Sequence, residues 1–184
     1  MLRPEILLNP LIIKPLHGIN PRNINGDAWW NKVRQTAYAT NDYHCWACGV
    51  HKKDAWKRQW LEAHEVYDYD YVEHQATLRE IVALCWACHN FIHYEHMRLC
   101  VLDGTYQRST YVTVIRHGWR VLREAGTVMG RPDPYYVAPD EWREWHLLLD
   151  GKKYYSDFQC EDEMRQFYER KRIQRIMGGK QWNK

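Results

Sequence analysis

Residues 45–49, CWACG, and 81–93, IVALCWACHNFIH, decide how this chain of 184 residues is read. Two residues separate Cys45 from Cys48 and Cys85 from Cys88, and 36 residues lie between the pairs. That spacing lets both sulfurs of a pair reach one tetrahedral Zn²⁺ at about 2.3 Å, while the tight turn aims backbone N–H groups at them. The first pair with Gly49 reads as a knuckle, and the second pair opens a helix. Four protein ligands leave no open position on the metal, so this site is structural and any chemistry comes from elsewhere. A redox role is disfavoured, since neither pair sits in a βαβ pattern.

The compartment supports the same reading. No apolar run approaches the roughly 18 to 20 residues of a membrane span, and mean hydropathy is −0.71. The first twenty residues are interrupted by Pro4, Pro10 and Pro15 and do not read as a secretory signal. A cytoplasmic location without membrane contact is expected, where thiols stay reduced and bind metal before they form disulfides. Net charge is only +3, yet it is segregated: residues 1–60 carry nine Lys or Arg against four Asp or Glu, and residues 61–100 carry two against seven. Residues 140–164 carry three against eight and residues 165–184 seven against one. Such blocks suit a polyanion on one face and cations or metal on another.

Outward from the cysteines, the Pro- and Asn-rich residues 1–26 read as an extended arm. Asp27 caps a helix to about Ala39, with Trp30, Val33 and Ala37 spaced for burial. A short strand is expected from Trp60 to Tyr67, a loop from Tyr67 to Thr77, and a second strand from Leu78 to Leu84. Thr110 to Ala125 reads as a helix with Ile115, Trp119 and Leu122 facing inward and Gly126 as its stop. Pro132, Pro134 and Pro139 mark a linker. Asp150-Gly151 then joins two strand-like runs in a hairpin, and a helix from about Cys160 to Met177 follows, acidic at its start and basic at its end.

The helix that follows Cys88 carries His89, His93 and His96 at i, i+4 and i+7. These lie close to one helical face, and two imidazoles at i and i+4 suit a divalent metal. His64, in the strand-like run LEAHE, is the third candidate ligand, which would make an open metal site.

The order CWACG, LEAHE, IVALCWACHNFIH resembles the HNH endonucleases, the ββα-metal nucleases, in the branch braced by a four-cysteine zinc. The resemblance covers about residues 28–97. It implies a treble-clef, HNH-like core with zinc over residues 27–100; with the helical segment, C-terminal β-hairpin and helix read from residues 101–184, which the resemblance does not cover, the expected fold class is α+β. It further implies structural Zn²⁺ at Cys45, Cys48, Cys85 and Cys88, and a catalytic divalent metal, Mg²⁺ or another, at His64, His89 and His93. Two positions depart from the family pattern. Glu65 stands where the base histidine is expected, and Glu80 where an asparagine is expected.

Phosphodiester cleavage needs a base that is unprotonated yet able to take a proton from water, and a carboxylate with a pKa of about 4.3 does this poorly unless burial raises it. Either Glu65 is that base, or the register shifts, making His64 the base and Glu62 or Glu65 a metal ligand. Strand alternation puts Glu62 and His64 on one face. The expected partner is DNA, held by basic flanks drawn from Arg22, Lys32, Arg34, Lys52, Lys53, Lys57 and Arg58. The leading expectation is thus a metal-dependent DNA endonuclease of bacterial or phage type. The alternative is a catalytically silent zinc module that binds nucleic acid or a protein, such as a phage anti-defence protein. Its partner surface would be in the C-terminal region, with Trp142, Trp145, Tyr154 and Tyr155 as candidates.

Overall fold

A computed structural model describes residues 2–9, 12–127 and 136–179, the last five in backbone only. Among the described residues the fold is mixed α+β. Five helices, α1 (Pro21–Thr40), α2 (Trp86–Ile92), α3 (Tyr94–Leu102), α4 (Arg108–Glu124) and α5 (Glu161–Gly179), accompany a four-stranded sheet. Its strands run in the order β1 (Leu61–Asp70), β2 (Gln75–Cys85), β3 (His146–Leu149) and β4 (Lys152–Tyr155). No described helix is long and apolar enough to cross a membrane.

The chain divides into two compact units that interleave in sequence, one drawn from Met1–Leu11, Pro21–Tyr67 and Leu78–Pro134, the other from Ile12–Asn20, Asp68–Thr77 and Tyr135–Lys184. These boundaries differ from the three consecutive segments expected. The reason is visible in the first unit, where α2 and α4 pack on each other and share a core of Val82, Leu84, Trp86, Phe91, Ile92, Val114 and Leu122. Helix α4, beyond residue 100, thus belongs to the cysteine-bearing unit.

The N-terminal segment is not simply extended. Pro4–Leu8 and Lys14–Leu16 form 3-10 turns with proline near the start of each, where its missing N–H leaves nothing unpaired. Ile6 and Leu7 are buried in the first unit, and Leu16 in the second. Within α1 the backbone breaks at Gly26, whose φ of 80° a residue with Cβ rarely adopts, so the expected helix from Asp27 is present and a short helical segment from Pro21 precedes it.

The stretch expected as a loop, Tyr67 to Thr77, is mostly strand. Tyr67, Asp68, Tyr69 and Asp70 alternate between half-buried and exposed, as one-sided β structure requires. The Asp70 carboxylate accepts the N–H groups of Val72 and Glu73, each at 3.0 Å, and closes the turn into β2. In the second unit β2 pairs in parallel with β3, Gln75 opposite His146, and β3 pairs antiparallel with β4. Asp150 and Gly151 join the latter pair with φ of 50° and 74°, the left-handed pair that a tight hairpin needs.

Three further expectations are corrected. Trp142 and Trp145 are 2% and 0% exposed, so they form the core of the second unit and no surface, whereas Tyr155 stays half exposed. The inward face of α4 is Val114, Gly118, Val121 and Leu122, leaving Trp119 42% exposed. The rotation follows from Gly118, where a Cβ would overlap the Phe91 ring of α2: the helices approach most closely at the residue without a side chain. Pro132 and Pro134 of the expected linker lie outside the described residues.

Candidate metal centres

The knuckle is built by backbone hydrogen bonds. Cys45 N–H donates to Val50 O and Gly49 N–H to Cys45 O, each at 2.9 Å, and Gly49 takes the φ of 75° that the reversal demands. The other pair begins α2, where Cys85 caps the helix by accepting the Cys88 N–H at 3.5 Å. The four sulfurs lie within 4.8 Å of one another. Cys48 Sγ and Cys85 Sγ are 3.7 Å apart. This is far beyond a disulfide at about 2.05 Å, and close to the ~3.8 Å edge of a tetrahedron with metal–sulfur bonds of about 2.3 Å. Hydrogen bonds from Cys45 and the second pair hold Cys48 below the usual thiol range, while Cys45 and Cys48 push Cys85 up. The four sulfurs fit a metal ion such as zinc.

Two side chains from outside the set adjust it. His117 of α4 places Nε2 3.2 Å from Cys88 Sγ, and Arg120 approaches His117 Nδ1 at 3.4 Å. A guanidinium only donates, so Nδ1 accepts, and Nε2 carries the proton that it offers to the sulfur. At the N-terminus Arg3 pairs with both Glu80 oxygens, at 2.8 and 2.5 Å, and its N–H donates to Trp46 O inside the knuckle. Glu80 is therefore half of a tether between the N-terminal turn and β2. Arg3 is the main reason its carboxyl sits below the usual range.

A second cluster lies in the same unit. His64 of β1, His89 of α2 and His93 at the end of α2 each offer a ring nitrogen, and these lie within 4.8 Å of one another. His93 Nε2 and His64 Nδ1 are 3.3 Å apart, which matches the ~3.3 Å edge of a tetrahedron with metal–nitrogen bonds of about 2.05 Å. Burial first, then the neighbouring His89 and His93, push His64 well below the ordinary imidazole value, which keeps it neutral as a ligand must be. Glu62 Oε2 stands 2.7 Å from His89 Nδ1. A carboxylate there fixes the proton on Nδ1 and leaves Nε2 with its lone pair free for a metal.

The expected residues are thus brought together in part. His64, His89 and His93 converge, whereas His96 does not: the helix turns at His93 (φ −90°, ψ 37°), and His96 Nε2 faces Cys100 Sγ at 3.7 Å. Glu65 is outside the cluster, its carboxyl raised by burial, and alternation along β1 turns it from the face that Glu62 and His64 share. Three imidazoles suit zinc, nickel, copper or iron. They do not suit the expected Mg²⁺, which prefers a shell of oxygens.

Most of the cations expected to hold DNA have partners within the protein. Arg22 pairs with Asp27, Arg34 bonds Asn31, and Arg58 lies 3.7 Å from Glu62. Lys52 stands over the Tyr43 ring and Lys57 over those of Trp56, Trp86 and Tyr106. Lys32 and Lys53 are exposed. Sequence reasoning missed Arg116, Arg120 and Arg123 of α4, whose i, i+4, i+7 spacing was the available signal. They line a groove of about 840 Å³ whose other wall includes Cys48, Cys85 and Trp56.

The chain matches no protein-family model, no curated protein and no solved structure.

Proposed function

We propose that this protein is a zinc-braced, metal-dependent nucleic-acid hydrolase with a treble-clef ββα-metal core of the HNH type. The observation that carries the reading is the convergence of three imidazoles from β1 and α2 at metal-ligand spacing, with Glu62 behind His89. The succession of cysteine knuckle, β1–β2 hairpin and cysteine-capped helix supports the same core.

In this reading the four cysteines brace the fold and the histidines form the reactive centre. His64, His89 and His93 would hold a divalent transition metal, which would supply Lewis-acid stabilisation of charge developing on a phosphodiester. His64 is kept neutral by burial, and Glu62 sets the tautomer of His89. This reading takes Glu65, whose carboxyl is raised by burial, as the base and requires its side chain to turn toward the imidazole face. It would take one proton from the attacking water as that oxygen bonds phosphorus, the bond to the leaving strand breaks and the leaving oxygen is protonated by solvent water.

A second reading is favoured by one observation. Glu65 is outside the imidazole cluster while Glu62 is engaged by His89 and Arg58, which leaves the centre without a free base. On that reading the domain binds metal and nucleic acid without cutting.

The experiment is plasmid nicking by zinc-loaded protein with added Zn²⁺, Ni²⁺, Mn²⁺ or Mg²⁺. Cleavage that falls by about 10² to 10⁴ in Glu65→Gln supports the hydrolase. Cleavage unaffected by Glu65→Gln but lost in His64→Ala retires Glu65 as base, and no cleavage with any metal establishes the silent module.

A further inference from the structure

The groove beside α4 joins two features that no part of the hydrolytic reading uses. Arg116, Arg120 and Arg123 form one stripe of the helix, about 10 Å long at 1.5 Å per residue. All three are exposed, and among the described residues none has a carboxylate partner. The acidic residues lining the groove are Asp54 and Glu124. Two indoles flank the stripe. Trp56 is 44% exposed and held edge-on by Trp86 at 5.5 Å; Trp119 is 42% exposed and held edge-on by Phe91, also at 5.5 Å. Each is anchored in the core by one aromatic contact and still offers a large apolar surface to solvent, so covering it costs little conformational entropy.

We infer that this groove binds a single strand of nucleic acid, with phosphates along Arg116, Arg120 and Arg123 and bases stacked on Trp56 and Trp119. A row of guanidiniums without carboxylate partners answers a row of phosphates, and flat rings answer half-exposed indoles. An acidic peptide satisfies the first and not the second. A duplex offers phosphates but keeps its bases stacked inside. Serving the charge of a metal–thiolate cluster accounts for His117, which reaches Cys88 Sγ, and for Arg120 through it. It gives no reason for Arg116 and Arg123 to follow in the same stripe. The groove is distinct from the imidazole centre, since Ala87 and His89 point to opposite sides of α2, and the inference holds whether or not that centre cuts.

The test is fluorescence anisotropy of a labelled twenty-nucleotide deoxythymidine strand with the zinc-loaded full chain and no added metal. Wild type is expected to bind with marked salt dependence. Arg116→Gln/Arg120→Gln/Arg123→Gln should bind at least tenfold more weakly, its log–log salt slope flatter by about 2, from roughly 0.7 per lost phosphate contact. Trp119→Ala should weaken binding about tenfold at an unchanged slope. Lys153→Gln, an exposed cation of β4 in the second unit, should bind as wild type does, which ties the loss to the cations of this groove. No measurable binding by wild type would overturn the inference. So would a triple variant that binds as tightly as wild type, a duplex of equal length that binds more tightly than the strand, or polyglutamate that competes equally well. Loss of zinc and of thermal stability in the triple variant would instead assign the cations to the cysteine cluster and also overturn it.

Discussion

Glu62→Gln is expected to weaken metal binding at the imidazole centre without unfolding the domain. The carboxylate lies 2.7 Å from His89 Nδ1, the length of a charge-assisted hydrogen bond, and its partner is a quarter exposed. Removing a carboxylate behind a ligating histidine costs about 10- to 100-fold in metal affinity, or about 1.4–2.7 kcal/mol. Glutamine keeps the shape and one acceptor oxygen, so the loss should fall toward the lower end, nearer tenfold. Glu62→Ala removes both and should approach a hundredfold. The assay is titration of Co²⁺ or Ni²⁺ into protein whose cysteine site already holds zinc, read by the visible spectrum and by calorimetry. Neither variant should shift the thermal transition of the protein before the second metal is added by more than a degree or two. Affinities within twofold of wild type for both variants would refute the role given to Glu62. Equal loss of metal binding and of fold would show that the pair is a packing element.

Three further outcomes follow from the packing and the ion pairs. Cys85→Ser, or chelation of zinc, should unfold the first unit, because a structural zinc contributes on the order of 10 kcal/mol against a total domain stability of about 5–15 kcal/mol; an unchanged transition after verified zinc loss contradicts this. Gly118→Ala should destabilise by about 1–3 kcal/mol, because its methyl overlaps the Phe91 ring, and Phe91→Leu in the same chain should recover part of that loss; additive losses in urea denaturation would contradict the contact. Glu80 sits below its usual value because of Arg3, so the pair stabilises above the unfolded carboxylate pKa of about 4.3 and ceases to as pH falls through the lower folded value. Glu80→Gln should therefore lie about 0.5–1 kcal/mol below wild type at pH 7, a value discounted because both partners are partly exposed, and converge on it toward pH 3; a difference that does not depend on pH refutes the pairing.

The parts of the fold legible in the sequence were those fixed by local chemistry. Two C-x2-C pairs can meet one metal only if the chain between them returns, so the knuckle, the strand pair and the opening of α2 follow from the spacing. Asp150-Gly151 and the charge order of α5 are equally local. The tip of the β1–β2 hairpin was hidden because a strand exposed on one face alternates Tyr with Asp, which reads as polar loop. Trp142 and Trp145 could not be placed, since an aromatic count does not say which rings are buried. His64, His89 and His93 were legible because helical spacing binds two of them together, whereas the turn at His93 that removes His96 has no signal in composition. Arg22, Arg34 and Arg58 are engaged by residues three to five positions away, a spacing that was open to sequence reading, whereas the seating of Lys57 over Trp86 depends on a tertiary contact.

We propose that one chain holds two metal ions, one on the four sulfurs and one on the three imidazoles. The most direct measurement is metal per chain by mass spectrometry, on protein reconstituted with excess Zn²⁺ and then desalted. Two ions per chain are predicted for wild type, and one for His89→Ala/His93→Ala with the thermal transition of the cysteine-braced unit retained. One ion per chain in both proteins, or two in both, would contradict the account.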